Sequence, residues 1–360
     1  MDLKKITEQL ANCSCGKEHP LQLKALEIGS GLLDKTADIL KQNEFPTKIL
    51  LVSDRNALNA SKGIIGILKD GGFQLKTRVY ENMRTADMEQ VEEIIALSQG
   101  YEGILAVGSG SVDDICRLAA YKAGKEFSIF ATAPSMDGFA SDTAPITKNN
   151  FKMSYQARQP SVIIADTKIL AGSPAELKSA GFGDMVAKYI ALVDWKISTL
   201  LTGEYYCEKI AKLTEEGLMR IVALADKVTE TNEETAGQIM EALVFTGLAM
   251  GFAGCSRPAS GAEHIVSHFW EVKKLEEGKL SDYHGKKVGV ATVLINQLYR
   301  QLASKEEINP HVEKIDWEEV KRVYGKNLAP DMMKMNQPTV TRSVSPEQLK
   351  KNWGEIRKIV

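Results

Sequence analysis

Residues Gly103–Gly124 read GILAVGSGSVDDICRLAAYKAG, a short apolar run, a glycine-rich turn and an amphipathic stretch in direct succession. The run GILAV predicts a strand, and VDDICRLAAYKAG predicts a helix that opens on the turn. Further strands of the same kind are predicted at Lys48 to Asp54 (KILLVSD) and Phe127 to Thr132 (FSIFAT). Helical segments are predicted between them, at Ala57 to Lys69 and Ala86 to Gln99. Strands alternating with helices of this length form βαβ units, so residues 1–170 are expected to be a doubly wound, Rossmann-like domain with a parallel sheet. Toward its end, Lys152 to Tyr155 and Val162 to Ala165 read as strands without an intervening helix, which predicts a hairpin or edge pair.

Beyond Ser173-Pro174 the β-branched runs thin out and a 3.6-residue period takes over, so residues 171–360 are expected to be a helical domain. Ser173 as N-cap, Pro174 at the first helical position and Glu176 predict a capping box at its start. The chain has 360 residues, which fits two domains better than one core. Lys and Arg (45) nearly balance Asp and Glu (47), leaving a net charge of −2, which speaks against nucleic acid and anionic membranes as partners and leaves a small-molecule substrate. Five cysteines do not form a disulfide framework, the N-terminus lacks the apolar run of a signal peptide, and the cytoplasm is the expected address. The longest apolar stretch, Ala242 to Cys255, has 14 residues and suits a buried helix, so no membrane insertion is expected.

Three loops suit a ligand. Glycines in GSGS (Gly108, Ser109, Gly110, Ser111), followed by Val112, let a backbone approach a diphosphate at a helix start. Asp113 stands where the dinucleotide fingerprint needs its third glycine, so an ordinary tight turn is the competing reading. Asp54, ending KILLVSD, suits ribose hydroxyls or the capping of the next helix. The loop TAPSMDGFAS, from Thr132 to Ser141, follows a strand at the same sheet edge and contains Ser135 and Asp137.

Three of the five histidines, His264, His268 and His284, stand in one short stretch, SGAEHIVSHFWEVKKLEEGKLSDYHG. A catalytic metal commonly takes three protein ligands and keeps a position open. His264 and His284 supply two; the third is His268 or a carboxylate such as Asp184 in GFGDMVAKY, which equally suits helix capping. Cys13, Cys15 and His19 in CSCGKEH are also ligand types, but no fourth residue stands at finger spacing, and the reading sets that site aside.

Taken together, GSGSVDD, TAPSMDGFAS, GFGDMVAKY, SGAEHIVSH and HGKKVG resemble the sn-glycerol-1-phosphate dehydrogenases over essentially the whole chain. That family is grouped with metal-dependent glycerol dehydrogenases, iron-containing alcohol dehydrogenases and dehydroquinate synthases. The resemblance implies a dehydroquinate synthase-like fold, with a Rossmann-like α/β domain before an all-α one. It implies metal ligands Asp184, His264 and His284, and substrate contacts from Asp137, Asp184 and His268, with Asp184 and His268 catalytic. Cofactor contacts are implied for Asp54, Gly108 to Val112, Thr132, Ser135 and Ser141. The implied cofactors are NAD(H) or NADP(H) and one divalent metal, zinc first, with nickel or iron as alternatives. The implied reaction interconverts dihydroxyacetone phosphate and sn-glycerol 1-phosphate by hydride transfer. A glycerol or polyol dehydrogenase is the alternative, and a non-catalytic nucleotide- or metal-binding homologue a lower one. A homo-oligomer is expected, although no motif encodes it. Lys148, Lys152 and Arg158 are the candidates for a substrate phosphate, and GSGS departs from the three consecutive glycines common in the family.

Overall fold

The computed structural model of the chain describes residues 3–149, 151–312, 314–325, 330, 333–334 and 344–360. Its centre is a sheet of six strands: β1 (Ala25–Gly29), β2 (Lys48–Asp54), β3 (Gln74–Tyr80), β4 (Gly103–Gly108), β5 (Glu126–Ala131) and a last strand at Val162–Asp166. An antiparallel hairpin, β6 (Thr143–Lys148) and β7 (Phe151–Gln156), precedes that last strand, β8. The sheet order is β1-β8-β5-β4-β2-β3, and every pair is parallel. The predicted fold class is therefore borne out.

Both faces of the sheet are covered, and period two divides each strand between two cores. Leu50 and Val52 of β2, Ile104 and Ala106 of β4, and Ile163 and Ala165 of β8 face one cluster. Ile49 and Leu51, Leu105 and Val107, and Val162 and Ile164 face the other. β2 leads outward to β3, and the chain then returns to β4 on the far side of β2, so the strand order reverses between β2 and β4. Open α/β sheets bind ligands at the carboxyl ends of such neighbours. Asp54 and the GSGS turn both sit there. The Ser53 hydroxyl ties the two strands by donating to the Val107 carbonyl at 2.7 Å.

Three predictions are corrected. The strand at Val162–Asp166 does not pair with Lys152 to Tyr155; it lies inside the sheet between β1 and β5, and β7 pairs with β6 instead. An uninterrupted apolar run, VIIA, is what a strand buried on both faces requires. The helix predicted over Ala57 to Lys69 breaks into α3 (Arg55–Ala60) and α4 (Ile64–Asp70) at Gly63, whose φ of +101° reverses the chain. No capping box forms at Ser173: its hydroxyl donates to the Leu170 carbonyl at 2.6 Å, and Pro174 itself is the N-cap of the next helix.

After β8 the chain is helical. The segments that matter below are α8 (Ala175–Val186), α9 (Lys188–Thr202), α10 (Glu208–Val222), α11 (Glu233–Ala253), α12 (Ala262–Glu276) and α13 (His284–Ala303), with α1 (Leu3–Leu10) and α6 (Gly110–Ala123) from earlier in the chain. Met240, Val244 and Leu248 of α11 share a core with Ile129 and Ile163 of the sheet. Among the described residues α11 is the one helix long and apolar enough to cross a membrane, and 78% of its apolar window is buried inside the fold.

Candidate active site

Glycines on α8 and α13 determine where the metal-type side chains meet. A Cβ added to Gly285 would lie 1.8 Å from the Ala180 carbonyl oxygen, and one on Gly183 would lie 2.3 Å from the Gly285 oxygen. With Gly289 beside Gly183, the two helices touch backbone to backbone, closer than any side chain permits. Gly181 gives α8 a second close approach, since a Cβ there would lie 2.0 Å from the Pro134 oxygen in the TAPSMDGFAS loop.

These contacts place Asp184, one residue after Gly183, beside His284, one residue before Gly285. Asp184 is fully buried; its Oδ1 lies 3.7 Å from His264 Nε2 and 3.9 Å from His284 Nε2. Its Oδ2 accepts a hydrogen bond from the Asp137 backbone N–H at 2.9 Å. The three candidate ligand atoms all lie within 4.8 Å of one another. Fully buried Glu263 holds His264 Nδ1 at 2.6 Å from its Oε1, turning Nε2 toward Asp184 in the carboxylate–imidazole arrangement that supports metal-ligating histidines. The His284 Nδ1 is a buried nitrogen with no hydrogen-bond partner among the described residues. Two imidazoles and one carboxylate fit a zinc, nickel or iron ion. His268 stands beside this group with its ring 6.0 Å from His264 and 5.8 Å from His284, and it lines the adjoining cavity. Burial, with Lys152 and His264 adding to it, lowers His268 to about 3, so its ring is neutral at pH 7.

Lys188, one turn past Asp184 on the next helix, has no exposed surface. Its Nζ lies 2.5 Å from Asp137 Oδ2 and 3.3 Å from Asp184 Oδ1, and donates to the Ala259 carbonyl at 3.1 Å. Burial alone would lower its pKa, but the Asp137 and Asp184 charges outweigh burial and raise it, so the lysine stays cationic. The i,i+4 spacing in GFGDMVAKY was the only signal of this pairing, and sequence reasoning passed over it.

A cavity of about 190 Å³ adjoins the histidines. The start of α6 contributes Ser109, Gly110 and Ser111, and the TAPSMDGFAS loop contributes Ser135, Asp137 and Ser141. Gly108, Val112, Thr132 and Asp54 are not among its lining residues. Asp54 instead uses Oδ1 to cap α3 through the Asn56 and Ala57 N–H groups. Arg117 of α6 bonds the Gly138 carbonyl and Asp114, and its Nη1 lies 3.2 Å from Asp113 Oδ2, which locks the glycine turn to that loop.

The hairpin forms another wall by alternation: Thr143, Pro145 and Thr147 of β6 and Lys152 and Ser154 of β7 face the cavity. Lys152 Nζ lies 3.0 Å from Glu271, and Lys287 Nζ lies 2.8 Å from the same carboxylate and 2.7 Å from Ser281 Oγ. Burial alone would raise Glu271, yet the two lysines hold it well below the usual carboxylate range. Arg84 stacks over Tyr283, 4.0 Å from the ring centre, and also lines the cavity. Of the cations singled out in sequence, Lys152 lines the cavity and Lys148 does not; Arg158 pairs with Glu126 at the start of β5. Lys287 and Arg84 were missed, although Lys287 follows His284 by three residues, one helical turn.

The family model of iron-containing alcohol dehydrogenases matches residues 27–174. Among curated relatives, a glycerol-1-phosphate dehydrogenase [NAD(P)+] of Halalkalibacterium halodurans is 34% identical over 310 residues, covering 84% of this chain and 77% of its own length. One from Pyrococcus furiosus is 31% identical over 304 residues, with coverage of 84% and 82%. The chain belongs to this family of glycerol-1-phosphate dehydrogenases, within the iron-containing alcohol dehydrogenase group. Among solved structures, a probable glycerol dehydrogenase from Sinorhizobium meliloti superposes with a TM-score of 0.65 at 16% identity, covering 94% of this chain and 97% of its own. The glycerol dehydrogenase of Schizosaccharomyces pombe gives 0.63 at 17%, with 96% and 91% covered. At such identities these two show the shared fold.

Gly285→Ala should push α8 from α13, destabilising the protein by about 1–3 kcal/mol and weakening metal retention. Thermal unfolding together with metal content of the purified variant checks both; normal metal content at normal stability would contradict the role given to this contact.

Proposed function

We propose that the chain reversibly reduces dihydroxyacetone phosphate to sn-glycerol 1-phosphate with NADH or NADPH. One observation carries this reading. The candidate ligands His264 and His284 share a cavity with three cationic side chains, Arg84, Lys152 and Lys287, which suits a small oxygenated substrate bearing a phosphate. The names of the curated relatives support the same substrate.

Asp184, His264 and His284 are the residues we assign to the metal, zinc first among zinc, nickel and iron. Asp54 at the switch point, with the GSGS turn, Val112, Thr132, Ser135 and Ser141, is assigned to the nucleotide side. The acidic Asp54 favours a dinucleotide without a 2′-phosphate. A metal held by Asp184, His264 and His284 would supply Lewis acidity at the substrate's carbonyl or hydroxyl oxygen, and a nicotinamide would supply or take up the hydride. The protein's own residues do the rest. Neutral His268 offers one donor and one acceptor nitrogen to a substrate hydroxyl. Lys188 holds Asp137 and Asp184 in place, and Asp137 presents its carboxylate at the cavity wall. Lys152, Lys287 and Arg84 bind the phosphate, and Ser281 orients Lys287. The hairpin and the start of α13 enclose the substrate and exclude water. In this proposal the catalytic cleft lies between the α/β domain, residues 1–170, and the helical one, residues 171–360.

Glu271 favours a second reading, because it already pairs with both Lys152 and Lys287 and reduces the charge they offer a phosphate. That arrangement suits an unphosphorylated polyol. Initial rates of NADH and NADPH oxidation with dihydroxyacetone phosphate and with dihydroxyacetone separate the two. The phosphorylated ketone should be preferred, and Lys287→Ala should raise its KM by about 10- to 100-fold while changing the KM for dihydroxyacetone little. A preference for the free ketone would reject the first reading.

The ligand assignment has its own test. His264→Ala or His284→Ala should lose bound metal and activity together, whereas His268→Ala should keep metal and lose turnover or substrate affinity. Metal retained in the His284→Ala protein would contradict the assignment.

A further inference from the structure

A second group of ligand-type side chains lies away from the cavity. Cys13, Cys15 and His19, set aside in sequence for want of a fourth residue, are joined by Cys207, 188 positions beyond His19. Their sulfur and nitrogen atoms all lie within 4.8 Å of one another. Cys13 Sγ is 3.5 Å from Cys207 Sγ, and Cys15 Sγ is 3.2 Å from His19 Nε2. Ligand atoms around a tetrahedral zinc stand roughly 3.5–3.8 Å apart for Zn–S and Zn–N bonds of about 2.3 and 2.0 Å, so these gaps need only small adjustment.

The surroundings are those of a ligand set. His19 is buried, and its Nδ1 lies 2.7 Å from the Phe252 carbonyl oxygen; accepting the Nδ1–H there leaves Nε2 as the free lone pair, pointed at Cys15. Cys207 is the N-cap of α10, a helix of 15 residues, and its buried sulfur makes no side-chain cap bond to that helix. Gly16, with φ of +81°, turns the chain so that Cys15 and His19 face each other. The Tyr205 hydroxyl lies 3.3 Å from Cys15 Sγ, and the Lys17 ammonium sits over the Tyr205 ring at 3.8 Å. Three thiolates and one imidazole around a dication carry a net charge of −1, which that ammonium offsets. All five cysteines are free thiols.

We propose that Cys13, Cys15, His19 and Cys207 form a structural zinc site. All four tetrahedral positions are filled by protein, so the site is closed and takes no substrate. Binding releases the thiol protons to solvent and changes no oxidation state. The ion staples the segment after α1 to the start of α10, where Lys209 Nζ already donates to the Gln9 carbonyl at 2.8 Å. It thereby ties the N-terminus to the helical half. The site is independent of the proposed dehydrogenase activity, since none of its four residues lines the cavity.

The test uses the full chain, purified under reducing conditions; one portion is stripped of metal with a chelator and loaded with cobalt(II), and another is kept chelator-free. The Asp184, His264 and His284 cluster contains no sulfur, so thiolate-to-cobalt charge-transfer absorption reports only the cysteine site. That absorption is expected in the wild-type protein. A His264→Ala/His284→Ala variant should keep it along with about one metal equivalent per chain, and adding Cys13→Ser and Cys207→Ser should remove both. Should the cysteine variants fail to fold, titrating wild-type protein with an organomercurial gives the same reading: zinc is released as the thiols are blocked. Cobalt-loaded wild-type protein without the absorption, or an organomercurial titration that releases no zinc, overturns the proposal. So does a Cys13–Cys207 disulfide recovered from reduced protein.

Discussion

The structure around the candidate site depends on the backbone contact between α8 and α13. Gly183, Gly285 and Gly289 remove the side chains that would hold the helices apart, and Gly181 does the same between α8 and the loop after β5. Asp184 and His284 flank these glycines in sequence, so the distance between them is set by backbone packing rather than by flexible side chains. Rigid support of this kind is what keeps ligand geometry within the tolerance of a metal site. α12 then needs only to present His264, which Glu263 orients.

The charges follow the same logic. Removing ions from water is costly unless they are paired, and Lys188, Arg117 and Glu271 each have a partner from another element. Lys188 joins Asp184 of α8 to Asp137 of the sheet-edge loop, Arg117 joins α6 to that loop, and Glu271 of α12 joins Lys152 of the hairpin to Lys287 of α13. Each network connects a segment before β8 with one after it or ties together two loops at the carboxyl edge of the sheet. The cavity is therefore walled by groups whose positions are mutually fixed, and a substrate entering it meets preorganised charge.

Much of the fold was legible in sequence, because burial on both faces of a parallel sheet leaves uninterrupted apolar runs such as KILLVSD and GILAV. The glycine turn and the motifs carrying Asp184, His264 and His284 were visible too, but a tight turn competed for GSGS and helix capping for Asp184. What escaped was long-range. Val162 to Ala165 was expected to form a hairpin or edge pair with Lys152 to Tyr155, but strand order depends on which helices cross over, and no local period encodes that. Lys188, Lys287 and Glu263 drew no reading in sequence; only their partners, brought in by packing, account for such charges being buried. Cys207 could not be assigned to CSCGKEH from spacing, since its contact with Cys13 spans 194 positions. Arg158, by contrast, looked as suitable as Lys152, and the sheet carried it to the opposite end.

We propose that one metal sits where the glycine contact brings Asp184, His264 and His284 together, at the wall of the cationic cavity. Anomalous diffraction at the metal's absorption edge, from crystals grown without chelator, tests it most directly. A peak bounded by those three side chains is expected, with His268 outside the coordination sphere. A peak ligated by His268 in place of Asp184, or none between α8 and α13, would contradict it.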